Sequence, residues 1–403
     1  MALFRSVAQF GVVLAVMGAA LGPVPLGSPA PPRGAPSAPG APGAPGAPGA
    51  PGAPGAPDER TAAMAGLAQE DSRVLAGRRV VLSYPGPIPS ATTLQAIREG
   101  RAAGVILFGE NITSPEQLAE AIAELKQAAA EAPHPRPLLL MTDQEGGKVR
   151  RLPGAPELSA RRVGLAANPV AAAAESGAGA ARTLTDAGLN LNLAPVLDVY
   201  DTPDNFIDHS ERSFGQDPAK VAELGSAFLT AQQGLGVAAT AKHFPGLGAA
   251  PRGANTDESP VTLNVPLSQL RARGEAPYRA AIAAGVRLVM ASWAVYPALD
   301  PDHPAGFSHA IIQGELRGRL GFDGVTVTDA MEAAALAPYG GPGDRALAAA
   351  AAGMDLMLCS GRDPRQGEEA TEALAAALDD GRLDRHAFSE AVVRVDALRG
   401  SLG

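Results

Sequence analysis

Eight short runs rich in valine, leucine and isoleucine recur along the chain, and alanine-rich stretches with helical spacing lie between them. A parallel strand pair needs a long crossover, usually a helix, so this alternation predicts parallel βα units. The strands are predicted at Arg79 to Tyr84, Gly104 to Phe108, Pro137 to Thr142, Leu189 to Leu197, Val237 to Lys242, Arg287 to Ser292, Gly324 to Thr328 and Asp355 to Cys359. Helices are predicted at Ser114 to Glu131, Ala171 to Ala187, Pro218 to Leu235, Pro266 to Ala284, His309 to Leu320 and Gly343 to Ala352. In the first of these, Ser114 is the expected cap, Pro115 fits the first turn, and Gln117 is the expected capping-box partner.

A doubly wound open sheet and a closed (β/α)8 barrel share this pattern, and the polar residues separate them. Asp143 to Gly147 follow the third strand, Asp198 the fourth, and Ser360 the eighth, while Lys242 and His243 end the fifth, Ser292 the sixth and Asp329 the seventh. A barrel gathers all such C-terminal strand ends at one mouth, whereas an open sheet spreads them along a line. The expected fold class is therefore α/β, a (β/α)8 TIM barrel forming a single catalytic domain over residues 58–403.

The residues before 58 do not fit such a core. Met1 to Gly22 carry Arg5, an apolar stretch and then small residues, which resembles a secretory signal peptide, with an uncleaved anchor as the alternative. From 23 to 57 the chain places 13 of its 37 prolines in 35 positions, and Gly-Ala-Pro repeats without a break from Gly40. Such a tract cannot build a sheet or bury a core, and it reads as an extended linker holding an exported domain off a membrane or wall. The expected localisation is accordingly secreted, or anchored at the extracellular face.

With 33 basic against 42 acidic residues, a net charge of −9 and 4% aromatics, the chain lacks the basic patch and stacking rings of a nucleic-acid binder. Its one cysteine, Cys359, excludes an intramolecular disulfide and a cysteine-based zinc cluster.

Three groups at the strand ends carry candidate chemistry. Asp329 ends a buried β-branched strand; a helix cap looks similar, but a carboxylate fixed among other polar groups at a barrel mouth suits attack on an anomeric carbon. Lys242 precedes His243-Phe-Pro-Gly in a chain with four lysines against 29 arginines, which points to a need for a compact ammonium. His243 alone reads as a core histidine, and beside Lys242 it reads as a ligand contact. Asp143-Gln-Glu-Gly-Gly followed by Arg150 and Arg151 reads as a solvated turn or, better, as a carbohydrate grip, since carboxylates and guanidinium groups match hydroxyls that both donate and accept. No second cluster at metal spacing accompanies it.

Together these motifs carry a resemblance. Asp143-Gln-Glu-Gly-Gly with Arg151 eight residues on, Arg212-Ser-Phe-Gly, Lys242-His-Phe-Pro-Gly, Tyr296-Pro-Ala-Leu-Asp and Gly321-Phe-Asp-Gly-Val-Thr-Val-Thr-Asp329 are similar, in order and context, to glycoside hydrolase family 3, most of all to its bacterial β-N-acetylhexosaminidase branch, over about residues 60–400. The resemblance implies a retaining hydrolase that releases terminal β-linked N-acetylglucosamine from wall fragments or chitin oligosaccharides. It makes Asp329 the nucleophile, gives Asp143, Arg151, Arg212, Lys242 and His243 to the sugar, and implies no cofactor and no metal.

The chain departs from that branch after its fifth strand. The branch reads Lys-His-Phe-Pro-Gly-His-Gly and then Asp-Ser-His, an Asp-His dyad serving as acid/base; here Leu247 replaces the first histidine and Asn255-Thr256-Asp257 stands where Asp-Ser-His is expected. Asp257 becomes the first candidate for the acid/base, because desolvation favours a neutral carboxyl. Glu258 and His209 are the alternatives. A β-glycosidase of other sugar specificity, or a carbohydrate-binding protein of the same fold with weakened catalysis, also fits this departure.

Overall fold

The structure is a computed structural model that describes residues 64–402. The predicted leader and linker lie outside the described residues.

Eight parallel strands form one sheet: β1 (Val80–Leu82), β2 (Gly104–Ile106), β3 (Leu139–Thr142), β4 (Leu191–Asn192), β5 (Ala238–Phe244), β6 (Leu288–Ala291), β7 (Val325–Thr328) and β8 (Met357–Leu358). Neighbours in sequence are neighbours in the sheet, and β8 pairs with β1. The ring closes between β7 and β8, where Val327 bridges Leu356 in parallel and the Thr328 amide donates to the Leu356 carbonyl at 3.0 Å. The expected barrel is the observed one.

Helices α1 (Ala91–Arg98), α2 (Pro115–Ala130), α3 (Pro169–Asp186) and α4 (Pro218–Gln233) follow the first four strands. Then come α5 (Ala276–Ala283) after β5, a π-helix (Ala310–Arg319) after β6, α6 (Pro342–Ala352) after β7, and α7 (Pro364–Asp379) and α8 (Arg385–Gly400) after β8. At α2, Ser114 caps as expected, its hydroxyl accepting from the Gln117 amide at 3.1 Å, but the Gln117 side chain accepts from the Thr113 amide instead of closing a box on Ser114. The helix expected over Pro266 to Ala284 is broken into Leu267–Gln269, a π turn at Leu270–Gly274, and α5. Pro277 lies in the first turn of α5, and its lack of an N–H explains why a helix starts there instead of running through.

Strand residues alternate between two apolar cores. Val81, Leu139, Met141, Leu191, Ala238, Leu288, Met290, Val325 and Val327 fill the barrel interior. Val80, Leu82, Leu140, Ala239, Ala241 and Val289 join the larger cluster packed under the helices. Strands buried on both faces read as continuous apolar runs, which is why they stand out in the sequence. The fourth is shortened most: nine residues are expected and only Leu191–Asn192 ladder regularly, with Pro195, which has no N–H to give, ending the run. The chain continues beside β5 all the same, with the Leu197 amide donating to the Lys242 carbonyl at 2.7 Å.

Candidate functional site

The period-two alternation of strands aims the site residues. Leu139 and Met141 of β3 point inward, and two positions on comes Asp143. Val325 and Val327 of β7 point inward, and two positions on comes Asp329. Ala238 of β5 points inward, and the same phase reaches Lys242. All three line a cavity of about 600 Å³ at the barrel mouth, and so do Arg151, Arg212, His243 and the first acid/base candidate, Asp257, so these seven residues share one space.

Lys242 anchors its floor. The buried ammonium lies 2.8 Å from Asp143 Oδ1 and 2.7 Å from Glu145 Oε1. Arg212 grips Glu145 with both prongs, Nε to Oε2 at 2.9 Å and Nη2 to Oε1 at 2.8 Å, and Arg151 stands 3.6 Å from Asp143. Burial opposes the charge on Glu145, Arg212 and Lys242, but their partners prevail. Arg212 and Lys242 hold the Glu145 carboxyl far below the ordinary carboxylate range. Asp143 and Glu145 in turn raise the pKa of Lys242, and Glu145 raises that of Arg212. The turn that swings Glu145 into place depends on Gly146 and Gly147, at φ of 110° and 58°. A Cβ on Gly147 would also stand 2.5 Å from Ser159 Cβ.

Beside this cluster His243 Nδ1 lies 2.7 Å from Asp198 Oδ2, and the Leu247 amide donates to the other oxygen of Asp198 at 2.7 Å. Leu247 itself is buried against the cavity wall. Tyr296, in the segment after β6, braces the same stretch, its hydroxyl donating to the Gly246 carbonyl at 3.1 Å.

Asp329 and Asp257 sit on loops tied to each other. The Ala334 amide donates to the Asp257 carbonyl at 3.1 Å and the Ala335 amide to the Thr256 carbonyl at 3.0 Å, so the segment after β7 carries the segment after β5. The Asp329 carboxylate accepts from the Ala330 amide at 2.8 Å, and the Trp293 indole donates to the Ala330 carbonyl at 2.8 Å. Asp257 is solvent-exposed at the rim while lining the cavity. Desolvation against the wall raises its pKa, the negative charge of Asp329 raises it further, and the Arg212 guanidinium pulls the other way. A carboxyl inclined to keep its proton, facing a second carboxylate, is the arrangement that acid-assisted bond cleavage uses.

The two alternatives to Asp257 lie elsewhere. Exposed Glu258 takes a hydrogen bond from Asn255 Nδ2 at 3.1 Å, and His209 pairs with Asp204 at 2.9 Å on an exposed turn; neither lines the cavity. Among the described residues no group of three or more His, Cys, Asp or Glu is placed to hold a metal ion.

Sequence reasoning left out Glu145 as a partner of Lys242, Asp198 beneath His243, and Glu332 on the cavity wall, where Ser360 Oγ holds it at 2.8 Å. Asp198 and Ser360 carried a signal, as polar ends of inward-facing strands. Glu145 and Glu332 lie in connections whose path has no period to read.

The model of the glycosyl hydrolase family 3 N-terminal domain matches residues 77–398. A secreted glycosyl hydrolase of Arthroderma benhamiae is 45% identical over 335 residues, 82% of this chain and 94% of its own. A beta-hexosaminidase of Xanthomonas oryzae pv. oryzae is 35% identical, over 69% of this chain and 82% of its own. A solved family 3 β-N-acetylglucosaminidase from a Paenibacillus species is 36% identical at a TM-score of 0.77, covering 82% of this chain, which spans 62% of that structure's chain. The family model, the identities and the closed barrel agree: this chain belongs to glycosyl hydrolase family 3.

Proposed function

We propose that the chain is an exported, retaining β-N-acetylhexosaminidase that releases terminal β-linked N-acetylglucosamine from wall-derived or chitin-like oligosaccharides. The observation that carries this reading is the single cavity shared by Asp329, Asp257 and the Lys242–Asp143–Glu145–Arg212 cluster. The names of the bacterial relatives support the sugar, and the name of the Arthroderma relative supports export. Among the described residues no helix is long and apolar enough to cross a membrane.

In the first step a carboxylate oxygen of Asp329 bonds to the anomeric carbon while the bond to the leaving oxygen breaks, and that oxygen takes the proton of Asp257. In the second, Asp257, now ionised, removes a proton from water as the water oxygen bonds to the same carbon and frees Asp329. Two inversions retain the configuration. Lys242 and Arg212 donate to sugar oxygens and Asp143 accepts from hydroxyls. Arg151 Nε, buried and without a protein partner, is a further donor left for the sugar.

An aryl panel of N-acetyl-β-glucosaminide, β-glucoside and β-xyloside tests the reading. Hydrolysis of the first above the others is expected, with a 2-fluoroglycosyl adduct trapped on Asp329 and turnover lost in Asp329→Asn. Sugar binding without turnover, or a preference for the glucoside, would overturn it.

A further inference from the structure

Asp198 has no part in the reaction just described, yet it is fully buried and makes the tightest contacts around His243. One oxygen lies 2.7 Å from His243 Nδ1; the other accepts from the Leu247 amide at 2.7 Å and from the His243 amide at 3.3 Å. A carboxylate holding two main-chain N–H groups is an acceptor, so the proton shared with the ring belongs to Nδ1. On the other side of the ring, Nε2 lies 3.4 Å from Arg212 Nη2. A guanidinium only donates, and two N–H groups do not face each other, so Nε2 carries a lone pair. Asp257 lines the same cavity as the ring.

We propose that Asp198 is a positioning residue that locks His243 as the neutral Nδ1–H tautomer, so that Nε2 presents an acceptor to a hydroxyl hydrogen of the bound sugar. The proposal rests on the reading of His243 as a sugar contact. It deepens that reading by giving the imidazole a direction: His243 recognises a hydroxyl as donor and cannot serve as the proton donor to the leaving oxygen. The same carboxylate holds the Leu247 amide, so the ring and the start of the loop leading to Asp257 share one anchor.

Long-range ¹⁵N–¹H correlation of histidine-labelled protein at pH 7 tests the tautomer directly, with the His243 signals assigned by their absence from His243→Gln. A protonated Nδ1 with a bare Nε2 is expected; a bare Nδ1, or protons on both nitrogens, would overturn the proposal. In Asp198→Asn the amide can turn its oxygen to Leu247 and its NH₂ to Nδ1, which drives the ring proton onto Nε2 against Arg212. A flipped tautomer and a fall in kcat/KM of about 10- to 100-fold, the effect of one misdirected hydrogen bond, are expected. An unchanged tautomer with unchanged kcat/KM would also overturn it. If the variant fails to fold, the wild-type spectrum still decides. Failure of every aryl glycoside to turn over would sink the proposed function and leave the wild-type tautomer as an independent result.

Discussion

Replacing Asp257 by alanine separates a proton donor from a structural loop residue. The loop is held by main-chain groups, Ala334 N to Asp257 O at 3.1 Å and Ala335 N to Thr256 O at 3.0 Å, and by Asn255 Oδ1, which accepts from the Asp257 amide at 3.1 Å. None of these bonds uses the Asp257 carboxyl, so the variant should fold with a stability change within about 0.5 kcal/mol. The rate effect should be far larger. General acid catalysis contributes about 10² to 10⁴-fold, or roughly 2.7 to 5.4 kcal/mol at 1.36 kcal/mol per decade, and the whole of it falls on leaving groups that need a proton. Chitobiose should therefore lose that factor in kcat/KM, while a dinitrophenyl glycoside, whose leaving group departs as an anion, should lose little. Across a series of aryl N-acetyl-β-glucosaminides the dependence on leaving-group acidity should steepen. Azide, which needs no general base, should restore turnover of the activated substrates as the β-glycosyl azide. Because the pKa of Asp257 is raised, its proton persists to higher pH than in an ordinary carboxyl, and wild-type kcat/KM should fall as pH climbs through that value. The limb should vanish in the variant. Equal losses across all leaving groups, with the limb intact, would refute the assignment.

Two further expectations concern the scaffold of the site. Glu145→Gln removes the carboxylate that pairs both the Lys242 and Arg212 cations, a broken buried ion cluster that should cost about 3–5 kcal/mol in urea unfolding at pH 7. Since the folded pKa of Glu145 is depressed, its stabilisation is complete above the unfolded value of about 4.3 and is lost as pH falls, so wild type and variant should converge in acid; a gap that persists there would count against the ionic account. Trp293→Phe removes the indole donor to the Ala330 carbonyl next to Asp329 and should cost about 1–3 kcal/mol of stability together with part of kcat; an unchanged melting temperature would show that this bond does not hold the loop.

Much of this architecture is legible in the sequence. A strand buried on both faces leaves a continuous apolar run, and a residue two positions beyond an inward-facing one keeps its direction, so Asp143, Lys242 and Asp329 could be placed at the mouth by local rules alone. Helix caps were equally local, as Ser114 shows. The break in the helix before Ala276 had its signal in Pro277, which an alanine-rich periodicity outweighed.

What escaped depends on contacts between groups far apart along the chain. Lys242 meets Asp143 across 99 residues and His243 meets Asp198 across 45, and no pattern in either segment names its partner. That Asp257 lines the cavity while Glu258 and His209 do not follows from the path of two irregular loops joined by main-chain hydrogen bonds. Chemical identity and strand phase are local properties of a sequence. Which charges neutralise one another, and which carboxyl is desolvated enough to keep its proton, are properties of the space that the closed ring encloses.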